Sequence, residues 1–77
     1  MSSQMVFGRI RATRVAGGDV VISREGRVGH GPAMSYRLWD RAQALDVLAA
    51  VNQRRGPDAS CERRALQWAI KQLGGAE

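Results

Sequence analysis

Cysteine, histidine, lysine and aromatic residues are all scarce in this chain of 77 residues. The single cysteine, Cys61, excludes an internal disulfide and with it a stapled secreted scaffold, so a reducing cytoplasm is the expected setting. Metal ligands are too few and too scattered for a metal constellation, and no cofactor is expected. The longest apolar run is Val47 to Val51, far short of the roughly 20 residues that span a bilayer. Met1-Ser2-Ser3-Gln4 offers no basic start and no apolar stretch, so no signal peptide is expected. Aromatics make up only 5% of the chain, and no aromatic RNA-binding motif of the sheet type is present.

What is abundant is arginine. The net charge is +5, and of the 12 basic residues only Lys71 is not arginine. A GC-rich coding bias produces such a composition, and so does selection for guanidinium forks that match phosphates and carboxylates. The charge is uneven. Arg9, Arg11, Arg14, Arg24, Arg27 and Arg37 face only Asp19 and Glu25, whereas from Asp40 onward the signs nearly balance. A strongly basic half is a plausible docking surface for an anionic partner.

Hydropathy patterning predicts one small α+β domain, a three-stranded antiparallel sheet followed by an antiparallel helix pair (β-β-β-α-α). Residues 5–15 alternate and read as a first strand, with Val6, Ile10 and Ala12 on one side and Phe7, Arg9, Arg11 and Thr13 on the other. Gly17-Gly18 marks a hairpin into a second strand over 20–24. A two-residue loop sets Arg11 opposite Arg24, and a three-residue loop sets it opposite Glu25; the attractive pair favours the latter. The glycines and proline of 26–32 predict a loop. A third strand follows over 33–39, with Met34, Tyr36 and Leu38 on one face and Ser35, Arg37 and Trp39 on the other.

Asp40-Arg41-Ala42-Gln43 is a capping box, with Trp39 and Ala44 placed as a hydrophobic staple. It opens a helix over 41–55 whose stripe is Ala42, Leu45, Leu48, Ala49 and Asn52, widened by Val47 and Val51, with Arg54 and Arg55 in its last turn. Gly56-Pro57 ends that helix. A second helix over 59–73 carries Leu66, Ala69, Ile70 and Leu73, flanked by Cys61, Ala65 and Trp68.

Catalysis is not expected. His30 sits alone between glycines with no orienting partner. Cys61 is a nucleophile candidate near a helix N-terminus, but a small residue on an apolar flank is the simpler reading. The carboxylates are scattered, several in caps and turns. The candidate binding residues are the arginines, in two groups: Arg9, Arg11, Arg14, Arg24, Arg27 and Arg37 on the sheet, and Arg54, Arg55, Arg63 and Arg64 around the turn between the helices.

The run Tyr36-Arg37-Leu38-Trp39-Asp40-Arg41-Ala42-Gln43-Ala44-Leu45 ends a strand on an aromatic and opens a helix on aspartate. With the glycine-turned sheet and second helix, the layout resembles small phage-encoded anti-CRISPR inhibitors of type I systems. That resemblance implies a non-enzymatic protein of the host-cell cytoplasm that docks on a larger protein or ribonucleoprotein; the basic charge excludes mimicry of DNA. The first 52 residues also look like sheet-based DNA-binding domains of the AP2 and integrase N-terminal type, which implies Arg9, Arg11, Arg24 and Arg37 as groove readers. The glycine and tryptophan pattern of those families is absent here, and the second helix is extra. A homodimer through a free sheet edge is compatible with either.

Overall fold

A computed structural model describes residues 3–26 and 33–74. It bears out the α+β class with its antiparallel sheet and helix pair, and corrects the strand count from three to four. The order is β1 (Ser3–Phe7), β2 (Ile10–Arg14), β3 (Val20–Arg24), β4 (Met34–Leu38), α1 (Arg41–Val51) and α2 (Pro57–Leu73). The strands lie side by side in chain order, an antiparallel meander.

The extra strand arises because the expected strand 5–15 folds back at Gly8-Arg9. Gly8 takes φ +61° and Arg9 keeps negative φ, the type II′ pattern in which only the first central position needs glycine. Pairing of Phe7 with Ile10 then reverses the expected faces of β1. Phe7 joins Ile10 and Ala12 on the face toward the helices; Val6 joins Arg11 and Thr13 on the face away from them.

Between β2 and β3 the loop has three residues, but they are Ala16-Gly17-Gly18, closed by a bond from the Val15 amide to the Asp19 carbonyl at 2.9 Å. Both glycines have φ +94°. Arg11 therefore pairs with Ser23, not with Glu25. This register sets Ala12 against Ile22, both fully buried, and apolar burial outweighs the expected ion pair, worth under about 1 kcal/mol at a surface. On β4 the expected faces hold: Met34, Tyr36 and Leu38 pair with the helix-facing residues of β3.

Ile10, Ala12, Val20, Ile22 and Leu38 from the sheet meet Ala44 and Val51 from α1 and Ala59, Ala65, Leu66 and Ala69 from α2. The alanines let the helices approach closely. The buried side of α1 is Ala44, Val47, Leu48 and Val51, so the expected stripe through Ala42, Leu45 and Ala49 is corrected to the solvent side, where Leu45 is 45% exposed. The Asp40 cap forms as expected, Oδ1 accepting from the Gln43 amide at 2.7 Å. Trp39 is exposed and does not act as a core staple. α1 ends at Val51, so Arg54 and Arg55 fall in the connecting turn, not in the last turn of the helix. α2 starts at Pro57, capped by Gly56 with φ +114°, earlier than expected.

Candidate docking surface

Two rows of side chains cross the sheet on the side away from the helices. Register places Val6, Arg11, Ser23 and Ser35 in one row, and Gln4, Thr13, Val21 and Arg37 in the next. Strand alternation makes the surface: the helix-facing residues build the core, and their neighbours point the other way. None of the eight is acidic. Arg11 is exposed and, among the described residues, has no ion-pair partner. Arg37 lies 3.7 Å from Asp19 at the rim, a mostly exposed pair of little net worth. Hydroxyls, one amide and two guanidiniums among two valines can hydrogen-bond and attract an anionic or polar partner.

The remaining expected site residues are dispersed rather than gathered. Arg9, in the β1–β2 turn, holds Asp58 Oδ2 at 3.1 Å and donates to the Glu25 carbonyl at 3.0 Å. Arg24 is on the helix-facing side, its Nη1 4.0 Å from the same carboxylate and its side chain largely covered. These two guanidiniums share Asp58 in the first turn of α2 and tie sheet to helix. Arg14 also faces the helices and donates to Gln72 Oε1 at 3.4 Å. Arg54 is bound to Glu62, and Arg63 donates to the Arg54 carbonyl at 3.2 Å. Arg55 and Arg64 are exposed. Arg27 lies outside the described residues, as does His30.

Cys61 is partly buried beneath the β1–β2 turn, where a methyl group on Gly8 would meet its Sγ at 2.9 Å. It lines an open depression of about 520 Å³ with Gly8, Arg9, Arg55 and Pro57. Among the described residues no group of three potential metal ligands comes together, and no helix is long and apolar enough to cross a membrane.

Sequence reasoning missed Glu62. It is the one buried charged residue among those described, 2% exposed. Its Oε2 accepts from the Tyr36 hydroxyl at 2.6 Å and from Arg54 Nη2 at 3.3 Å. Burial, then the bond to Glu62 and its negative charge, push the Tyr36 phenol well above its ordinary range, with Arg54 opposing. The phenol therefore stays a donor to the carboxylate. The signal was present in the chain: Ala59, Glu62, Leu66 and Ala69 recur at helical spacing, which puts a carboxylate in an apolar stripe.

Gln43 is the other residue whose role was underestimated. Its side-chain amide accepts from the Trp39 backbone N–H at 2.8 Å and donates to the Arg37 carbonyl at 3.1 Å. A residue of a neighbouring parallel strand makes the same pair of bonds. The capping glutamine thus closes the outer edge of β4 beside Leu38 as well as starting the helix. No family model matches the chain, and neither does any curated protein or solved structure.

Proposed function

We propose that this chain is a non-enzymatic docking protein that uses the helix-free face of its sheet to occupy a polar or acidic surface on a larger protein. The observation that supports this reading is the pair of rows carrying Arg11 and Arg37 with four neutral polar side chains and no carboxylate. The phage-type inhibitor of a CRISPR surveillance complex is one form of it, resting on the resemblance of layout alone, from which the fourth strand departs.

Nucleic-acid binding through the same face is the second reading, because arginine, serine, threonine and glutamine are the side chains that contact phosphates. Magnitude decides against it as the primary role. Four to six sheet arginines on phosphates give a log–log salt slope of about −4 to −5, but among the described residues only Arg11 and Arg37 point to the open face, which reduces the slope to about −2. Two phosphate contacts leave little affinity at physiological salt.

The test is charge reversal at both positions, Arg11→Glu with Arg37→Glu. Each is exposed, so the thermal midpoint should move by no more than a few degrees. A partner recovered stoichiometrically from a bacterial lysate by the wild-type chain should be lost by the doubly reversed one. Equal recovery by both refutes the reading. A random duplex bound tightly with a slope near −4 or steeper favours nucleic acid instead.

A further inference from the structure

The open face is small. Four strands about 4.8 Å apart and five residues rising about 3.4 Å each give roughly 300 Å² of plan area, against about 800 Å² per partner in a standard interface. A docking partner must therefore reach past the sheet's rim. The two rims differ. That of β4 is closed by the Gln43 amide at Arg37 and Trp39. That of β1 is bare among the described residues. The tight turn at Gly8-Arg9 makes Phe7 and Ile10 a hydrogen-bonded pair, so Gln4 and Val6 present their backbone N–H and C=O groups outward. β1 carries no charge and no proline, the usual protections of an edge, and Met5 and Val6 on it are 42% and 56% exposed.

Charge identifies what fits there. Glu62 on α2 is directed toward Tyr36 on β4, at the far side of the sheet from β1. At about 100° per residue, Arg64, Gln67 and Lys71 fall on the side of α2 opposite Glu62, away from Tyr36, and all three are exposed; Arg14, paired with Ser3 of β1 on the helix-facing side, is exposed as well. Arg11 pairs with Val6 on the open side. Cations therefore flank the bare edge on both faces. A second copy of this chain would bring the same cations against them.

We infer that the β1 edge accepts an extended acidic segment of a partner protein as a fifth strand, main chain to Gln4 and Val6, carboxylates toward Arg64 and Lys71. The inference rests on the docking reading above and names the partner segment that the reading leaves open. The ladder supplies affinity, and the flanking charges select against basic or neutral strands.

The probe is an acetylated, amidated nine-residue peptide alternating glutamate with valine and threonine, added to the full chain and followed by amide NMR and hydrogen exchange. Gln4 and Val6 amides should shift and gain protection. The same peptide with lysine for glutamate should bind at least tenfold more weakly, and Arg64→Glu with Lys71→Glu should reverse that order. Val6→Pro removes only an outward N–H and should weaken binding about fivefold. Should that variant misfold, a peptide N-methylated on its pairing edge tests the same ladder. Arg37→Glu alone, on β4 at the far rim from β1, should leave the Gln4 and Val6 protection in place, so weakened partner docking in that variant and loss of the edge separate the two claims. The inference is overturned if no peptide protects Gln4 or Val6, if both peptides bind equally, or if these amides become protected with protein concentration alone, as a β1–β1 dimer would require.

Discussion

Glu62 is where the energetics of single residues are most exposed to test. Moving a carboxylate out of water costs several kcal/mol, and here the Tyr36 hydroxyl and the Arg54 guanidinium offset it. Tyr36→Phe removes the shorter bond and leaves Glu62 with Arg54 as its one donor among the described residues, so a loss of about 1–3 kcal/mol is expected in urea unfolding at pH 7. The pH dependence follows from the raised phenol. The unfolded tyrosine ionises near pH 10, whereas the folded one holds its proton higher. Above pH 10 the unfolded state therefore binds fewer protons, and stability falls as pH rises. The full linkage slope is about 1.4 kcal/mol per pH unit, reduced here because Tyr36 is only half-buried. The gap between wild type and Tyr36→Phe should accordingly narrow between pH 10 and pH 11.5. A gap that stays constant would show that the phenol ionises alike in both states. Neither effect was legible from the carboxylate's place in the sequence until the stripe through Ala59, Leu66 and Ala69 is read as the buried one, because a glutamate on a helix is ordinarily a solvated residue.

At the scale of elements, the start of α1, the third expected strand and the faces of β4 were legible, and the reasons are local. Asp40 and Gln43 carry their cap in their own side chains, and alternation from Met34 to Leu38 has apolar residues on one side only. The β1–β2 turn was hidden because a two-residue turn with a single glycine leaves no cluster of turn residues, and Val6 and Phe7 are both apolar, so either face satisfies the pattern. Gly8→Ala tests that turn. The new methyl would sit at φ +61° and 2.9 Å from Cys61 Sγ, so a loss of about 1–3 kcal/mol is expected. In Gly8→Ala/Cys61→Ala the clash is gone and only the backbone strain remains, so the double variant should lose less than the sum of the singles; strict additivity would place Sγ elsewhere. The orientation of α1 was misread for a similar reason: Leu45 and Leu48 both offer an apolar stripe, and only packing against α2 chooses between them. Leu45→Asp should change the unfolding free energy in urea by less than about 0.5 kcal/mol, while Leu66→Asp, at a fully buried site, should abolish the cooperative transition. Equal damage from both would restore the stripe read from hydropathy.

For the molecule as a whole, the arginines divide into those that hold the layers together and those that face outward, a division that charge counting could not reveal because it depends on register. A shift of Arg11 by one position would turn its strand inside out. Among the described residues the same sheet has one guarded edge and one bare edge, and the guard can be removed. Gln43→Ala keeps the backbone bond from residue 43 to Asp40 Oδ1 and puts a strong helix former in the first turn, so α1 should persist. What disappears is the acceptor for the Trp39 N–H and the donor to the Arg37 carbonyl. Water replaces both at this exposed rim, and the net cost is small, about 1 kcal/mol or less. The informative consequences are local and intermolecular. Exchange of the Trp39 amide should accelerate several-fold while that of Tyr36, which pairs with Ile22 inside the sheet, keeps its rate. With β4 open beside Leu38, the variant should also show concentration-dependent association in sedimentation velocity where the wild type shows less. Unchanged exchange at Trp39 would mean that the glutamine amide does not stand in for a strand; faster exchange without added association would assign the restraint to the cation of Arg37 on the same edge.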